Sequence, residues 1–160
     1  MGKSKVSVIV PVYKVEDYIE RCVRSLFGQT LMDMEFVFVD DCSLDKSIEI
    51  VEAVLDEFPA RRQQVKIIRN EHNKGVSFVR NLGIEVATGD YICYCDSDDW
   101  VELDTYERLY DKANSTGSDI CWCDFYMHNP NGVEYCKALD ILPDKMQLLR
   151  AYIMNGWTVV

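Results

Sequence analysis

Apolar residues keep two alternating rhythms along the first hundred positions. Short unbroken runs, VSVIVP over 6–11, EFVFVD over 35–40, VKIIR over 65–69 and YICYC over 91–95, have the length and side-chain content of strands covered on both faces. Between them the spacing becomes helical. Ile19, Cys22, Val23, Leu26 and Phe27 make one stripe within DYIERCVRSLFGQT; Ile48, Val51, Leu55 and Phe58 make a second, ended by Pro59; VSFVRNLGIEVA over 76–87 makes a third, stopped by Gly89. Strands alternating with helices predict βαβ units, and so an α/β fold with a largely parallel sheet and right-handed crossovers.

Beyond residue 100 the pattern predicts a helix over Leu103 to Ala113, a strand near DICWCDFY, an irregular hairpin or loop over 128–143, and a last helix in PDKMQLLRAYIMNG. Asp144 and Gln147 make a capping box for that helix and Gly156 its stop. No repeat or low-complexity tract interrupts this order, and 160 residues is the size of a single domain. A chain of this length buries roughly 70% of the surface it exposes when unfolded.

Charge narrows the choice of ligands. The 17 basic and 27 acidic residues leave a formal charge of −10, which disfavours nucleic acid and anionic lipid as nonspecific partners. A polyanionic ligand would need local help, most simply from a metal cation. The opening MGKSKVSVIV has too short an apolar run for a signal peptide, and no stretch approaches the 18 apolar residues of a membrane span, so the expected location is cytoplasmic. The seven cysteines are odd in number and lie mostly in apolar stretches, as reduced core thiols do. Cys93/Cys95 and Cys121/Cys123 offer four thiolates, but as C-x-C pairs in strand-like segments they suit a core better than zinc.

In a parallel sheet, ligands bind outside the carboxyl ends of the strands. The residues just past those ends are Pro11, Tyr13 and Glu16, then Asp40 and Asp41, then Asn70, then Asp96, Asp98 and Asp99. Five aspartates from two separated segments would converge on one edge, where like charges repel unless a cation joins them. Mg²⁺ or Mn²⁺ held by one or two carboxylates completes its shell with water and phosphate oxygens, which lets an acidic site take an anionic diphosphate. The competing use of such aspartates is as turn residues and helix caps. A pair at i, i+2 such as Asp96 and Asp98 gains nothing as a cap. Gly75, just before a helix, lets backbone N–H groups approach an anion, and Arg80 and Lys74 add positive charge nearby. For His72 and His128 the sequence offers no triad or metal set, and both read as structural.

SVIVPVY (7–13), VDDCSLD (39–45), NKGVSFVRNLGIEVATGDY (73–91) and CDSDDW (95–100) together resemble the nucleotide-sugar half of inverting family 2 glycosyltransferases. The resemblance runs from about residue 5 to 125, in order and at family-like spacing. It implies the GT-A fold, a Rossmann-like three-layer α/β/α arrangement. It also implies a UDP-sugar donor, with Pro11, Tyr13 and Glu16 flanking the nucleoside, Asp41 accepting from the base, Arg80 supplying charge, Asp96 near the ribose and sugar, and Asp98 ligating Mn²⁺ or Mg²⁺. Transfer would go with inversion to a hydroxyl of a saccharide or lipid-linked saccharide, in making a cell-surface polysaccharide or glycolipid, at the inner face of the membrane or in the cytoplasm. The acceptor half and its general base would lie beyond Val160, so no catalytic base is assigned within 1–160. Lys14 stands where the family usually has Asn, and Cys42 where Gly is common.

Rival readings each want something this chain lacks. A sugar-1-phosphate nucleotidyltransferase calls for a Gly- and Arg-rich loop after the first strand, where PVYKVEDY stands, and a haloacid-type hydrolase or receiver calls for an Asp where Pro11 is. A binding module without transfer activity, such as a metal-dependent adhesion domain, could use Asp41, Ser43 and Asp45 but would leave Asp96 and Asp98 without a role.

Overall fold

The computed structural model describes residues 4–138. They fall into two compact units, the first reaching Asp111 and the second beginning at Lys112. The first unit is built on four parallel strands, β1 (Val6–Val12), β2 (Met34–Asp40), β3 (Val65–Arg69) and β4 (Tyr91–Tyr94), in the order β3-β2-β1-β4. Helices α1 (Ile19–Phe27), α2 (Ser47–Glu57) and α3 (Val76–Val86) make the connections, and a 3-10 turn over Pro59–Gln64 follows α2. This is the expected α/β fold with a central parallel sheet. Starting at β1, the chain moves outward to β2 and β3 and then returns to place β4 on the other side of β1, so the strand order reverses beside β1.

Strand alternation sorts the core into two faces. Val6, Val8, Val10 and Val12 of β1 and Met34, Phe36 and Phe38 of β2 pack with Ile19, Cys22, Val23, Leu26 and Phe27 of α1 and Ile48, Val51, Val54 and Leu55 of α2. The α1 stripe read from the sequence is therefore the buried one. Phe27 meets Phe36 edge-on at 5.4 Å between ring centroids. On the opposite face Ile9, Val37 and Val39 pack with Val79 of α3. There α3 comes close to the sheet: a Cβ on Gly83 would lie 2.4 Å from Ile9 Cγ2, so that contact requires glycine.

The polar members of the same faces are paired. Glu35 stands beside Ser7 in the β1–β2 register and accepts from Ser7 Oγ at 2.6 Å, from the Thr88 amide at 2.8 Å and from Lys66 Nζ at 2.6 Å. Arg61, 3% exposed, donates to the carbonyls of Phe27 at 3.0 Å, Leu31 at 3.1 Å and Met32 at 3.1 Å, and also to that of Gln29. The guanidinium thereby closes the carboxyl end of α1 and the loop after it, satisfying helix-end carbonyls that lack intrahelical partners.

Helix α4 spans Thr105–Thr116, two to three residues later than expected at each end. In the second unit, β5 (Phe125–Asn129) pairs antiparallel with β6 (Gly132–Cys136). The apolar run near DICWCDFY thus becomes a strand only from Phe125 onward, and residues 119–124 have no regular structure. The hairpin explains the shift: the turn at Pro130 and Asn131 fixes which residues find a ladder partner, and alternation alone does not specify one. Tyr135 Oη donates to Asp124 beside this hairpin. The helix expected after Pro143 lies outside the described residues. Among the described residues no helix is long and apolar enough to cross a membrane.

Candidate functional site

Because β1, β2, β3 and β4 run parallel, their carboxyl ends share one edge of the sheet, and a cleft of about 350 Å³ opens there. Its lining brings together Pro11, Tyr13, Asp41, Arg80, Asp96 and Asp98 from the sequence-derived set, with Val12, Asn73, Gly75, Val76, Val79 and Ser97 between them. Glu16 is not among the lining residues; its carboxylate accepts from the Lys46 amide at 2.9 Å, at the start of α2.

Asp41 is 3% exposed and organises the loop between β3 and α3. Its oxygens accept from Asn70 Nδ2 at 2.7 Å, from the Lys74 amide at 2.9 Å and from the Gly75 amide at 2.8 Å. Burial pushes this carboxyl up, but the Lys74 amide, Asn70 and the Gly75 amide together outweigh it and hold Asp41 below the ordinary carboxylate range. Gly75 caps α3 at φ 86° and ψ 157°, a backbone region that is essentially glycine-only. The helix therefore starts at the cleft wall with its first amides near the opening.

Across the cleft, Arg80 Nη2 donates to Asp96 Oδ1 at 2.7 Å and its guanidinium lies over the Tyr94 ring at 5.2 Å. Arg80 Nε is buried and finds no hydrogen-bond partner among the described residues. Beneath this pair Cys22 and Cys95 touch, Sγ to Sγ at 3.9 Å. The contact with Cys95 and burial push the Cys22 thiol up.

Asp98 and Asp99 are exposed at the end of the same segment. Partial desolvation, and then the neighbouring charges of Asp98 and Asp96, raise the Asp99 carboxyl. The donor set is hard oxygen, with Asp98 on the lining and Asp96 already engaged by Arg80. That fits a divalent ion such as Mg²⁺ or Mn²⁺, which takes one or two carboxylates and leaves its other positions to water and phosphate. Among the described residues no three His, Cys, Asp or Glu side chains form a protein-only metal cage, so Asp98 would hold such an ion only together with a ligand.

One feature of the site had little signal in the sequence. The loop from Tyr13 to Glu16 is held by Ser43, Asp45 and Ser47, with the Lys14, Val15 and Glu16 amides donating to Ser43 Oγ at 2.6 Å, Ser47 Oγ at 3.1 Å and Asp45 Oδ2 at 3.1 Å. The S-x-D-x-S spacing could have flagged a cap before α2, but not its capture of a loop 30 residues upstream. These hydrogen bonds occupy the oxygens that an adhesion-type metal loop would need.

The family model described as Glycosyl transferase family 2 matches residues 7–158. The chain is 39% identical over 130 residues to the uncharacterized glycosyltransferase EpsJ of Bacillus subtilis, an alignment covering 81% of this chain and 36% of that protein. It is 34% identical over 143 residues to the poly(ribitol-phosphate) beta-glucosyltransferase of Bacillus spizizenii, covering 88% and 22%. Among solved structures, TarS of S. aureus in complex with UDP superposes with a TM-score of 0.65 at 33% identity, covering 72% of this chain and 33% of that one; TarS with UDP-GlcNAc matches to the same TM-score. The chain spans about a third of the length of EpsJ, a third of the TarS 1–349 fragment and a fifth of the longer TarS chain.

Proposed function

The chain belongs to glycosyl transferase family 2, and we propose that its first unit binds the UDP-sugar donor of an enzyme that transfers the sugar, with inversion, to a hydroxyl of a saccharide or lipid-linked acceptor. The observation that carries this reading is the convergence of Tyr13, Asp41, Arg80, Asp96 and Asp98 on one cleft at the carboxyl edge of a parallel sheet.

Each residue has a part in that reading. Tyr13, 42% exposed at the cleft, offers a ring face to the base. Asp41 faces the cleft and is held ionised; beyond the amides it already satisfies, a carboxylate retains acceptor capacity suited to a uracil imide N–H. Arg80 and Asp96 hold each other, so the guanidinium is a fixed positive charge in the cleft wall for an anionic ligand. Asp98 would hold Mn²⁺ or Mg²⁺, which would supply positive charge to the diphosphate of the donor. Attack by the acceptor oxygen passes through an oxocarbenium-like state and needs a carboxylate within about 3 Å to take the hydroxyl proton. We assign no residue of the cleft to that part.

The poly(ribitol-phosphate) acceptor of one relative supports a cell-surface polymer or glycolipid as the product, made at the cytoplasmic side. The test is calorimetric titration with UDP in Mn²⁺ and in EDTA. Metal-dependent binding is expected; equal affinity in both would remove the metal from the reading, and no binding in either would remove the nucleotide.

A further inference from the structure

The loop carrying Tyr13 is built in a conformation it would not keep alone. Lys14 has φ 56°, the left-handed region that costs a non-glycine residue roughly 1 kcal/mol or more, and such residues persist where their surroundings over-determine them. Here the surroundings are three side chains centred on Asp45. Ser43 Oγ accepts from the Lys14 amide at 2.6 Å and donates to Asp45 Oδ1 at 2.8 Å. Ser47 Oγ accepts from the Val15 amide at 3.1 Å and donates to Asp45 at 2.7 Å. Asp45 Oδ2 itself takes the Glu16 amide at 3.1 Å.

Three consecutive amides are thus captured by one carboxylate, directly or through a hydroxyl. Each hydroxyl has one proton, and by giving it to Asp45 it turns its lone pairs to the loop. The arrangement works in one sense only, with Asp45 accepting from every partner. Glu16 closes it from the other side by accepting from the Lys46 amide at 2.9 Å.

We propose that Asp45 is a positioning residue for the donor cleft, acting through Ser43 and Ser47 to fix the left-handed turn at Lys14 and so to present Tyr13 to the nucleotide base. This rests on the nucleotide reading of the cleft above. Asp45 lies outside the cleft lining, whereas Tyr13, on the loop it holds, lies within it.

The test is a double-mutant cycle in the full-length protein carrying this chain, with UDP affinity measured by calorimetry in Mn²⁺. Asp45→Asn is expected to weaken UDP by about tenfold, equivalent to about 1.4 kcal/mol, and Tyr13→Ala by at least as much. In the double variant the two losses should not multiply, and affinity should stay within about twofold of Tyr13→Ala alone, as coupled sites require. A merely structural Asp45 would give multiplying losses. Should Asp45→Asn fail to fold, Ser43→Ala removes one acceptor from the clamp and should weaken UDP about threefold, while Ser43→Thr, which keeps the hydroxyl, should restore it. Multiplying losses, unchanged UDP affinity in Asp45→Asn, or equal behaviour of Ser43→Ala and Ser43→Thr would overturn the proposal while leaving the cleft reading intact. A wild-type protein that does not bind UDP would overturn both.

Discussion

The Asp41 carboxylate takes the Gly75 amide at 2.8 Å, tying the residue after β2 to the residue that starts α3. Two strand-end loops thereby become one wall, and the helix can begin at the cleft only because Gly75 tolerates φ 86°. The carboxylate that lines the cleft is also the fastener of that wall.

Asp41→Ala is therefore expected to show two effects. UDP binding should weaken by about 1.5–3 kcal/mol, the range for hydrogen bonds to a charged group. In the free protein, hydrogen exchange at the Lys74 and Gly75 amides should accelerate. Unchanged affinity would take Asp41 out of the base site, and unchanged exchange would deny it the role of fastener.

Asp98→Asn should abolish most of the difference between UDP affinity in Mn²⁺ and in EDTA, with the unfolding midpoint close to wild type because Asp98 is exposed. Asp98 is the exposed carboxylate of the acidic segment that lines the cleft, whereas Asp96 is engaged by Arg80 and Asp99 lies off the lining. A variant that keeps its full response to Mn²⁺ would move the metal elsewhere.

The α1 stripe and the four parallel strands were legible in the sequence because burial on one helix face or on both strand faces leaves a periodic trace. So was the acidic edge, since strand order alone brings those ends together. What could not be read was pairing at a distance. Nothing in the spacing of Glu16 marks it as a partner of Lys46 rather than of a ligand, or marks Asp45 as holding a loop 30 residues away. Arg61 gave no sign that it would be buried among carbonyls. The strand at Phe125 was misplaced because an antiparallel ladder is fixed by its turn and its partner strand.

Two departures noted in the sequence gain a physical meaning. Lys14 and Cys42 adopt φ 56° and 62°, and the Asn and Gly that the family resemblance implies at these positions are the residues that tolerate that region best. Lys14→Asn should raise stability by about 0.5–1 kcal/mol through relief of this strain, read as a higher urea midpoint at constant slope. A midpoint at or below wild type would mean that the clamp on the Lys14 amide already removes the strain.

Acid should loosen the sheet at Glu35. Burial pushes this carboxyl up, but Lys66, Ser7 and Thr88 outweigh it, leaving it below its ordinary value. A depressed folded-state pKa contributes stability that is present above the unfolded value of about 4.3 and is lost as pH falls through the folded value. Glu35→Gln should accordingly be less stable than wild type at pH 7, with the gap narrowing below about pH 4. A gap that stays constant down to pH 2.5 would show that the charge on Glu35 contributes nothing.

Arg61 makes the strongest stability prediction. Its guanidinium sits over the Phe36 ring at 5.8 Å and serves the carbonyls of Phe27, Gln29, Leu31 and Met32 together with Gln64 Oε1. No carboxylate pairs with it among its hydrogen-bond partners; the partial negative charge at the end of α1 takes that part. Arg61→Met keeps the apolar stem and removes every donor, leaving several buried carbonyls unsatisfied, and should cost about 3 kcal/mol. Arg61→Lys should recover only part of this, because an ammonium presents three tetrahedral donors in place of a planar fork of five. The carbonyls lie at the end of the first unit opposite the cleft, so UDP affinity of the folded protein should stay within about twofold of wild type. Denaturant midpoints for both variants, with calorimetry on the folded fraction, decide it: full rescue by Lys would reduce Arg61 to a simple charge, and an unchanged midpoint in Arg61→Met would remove it from the fold's support.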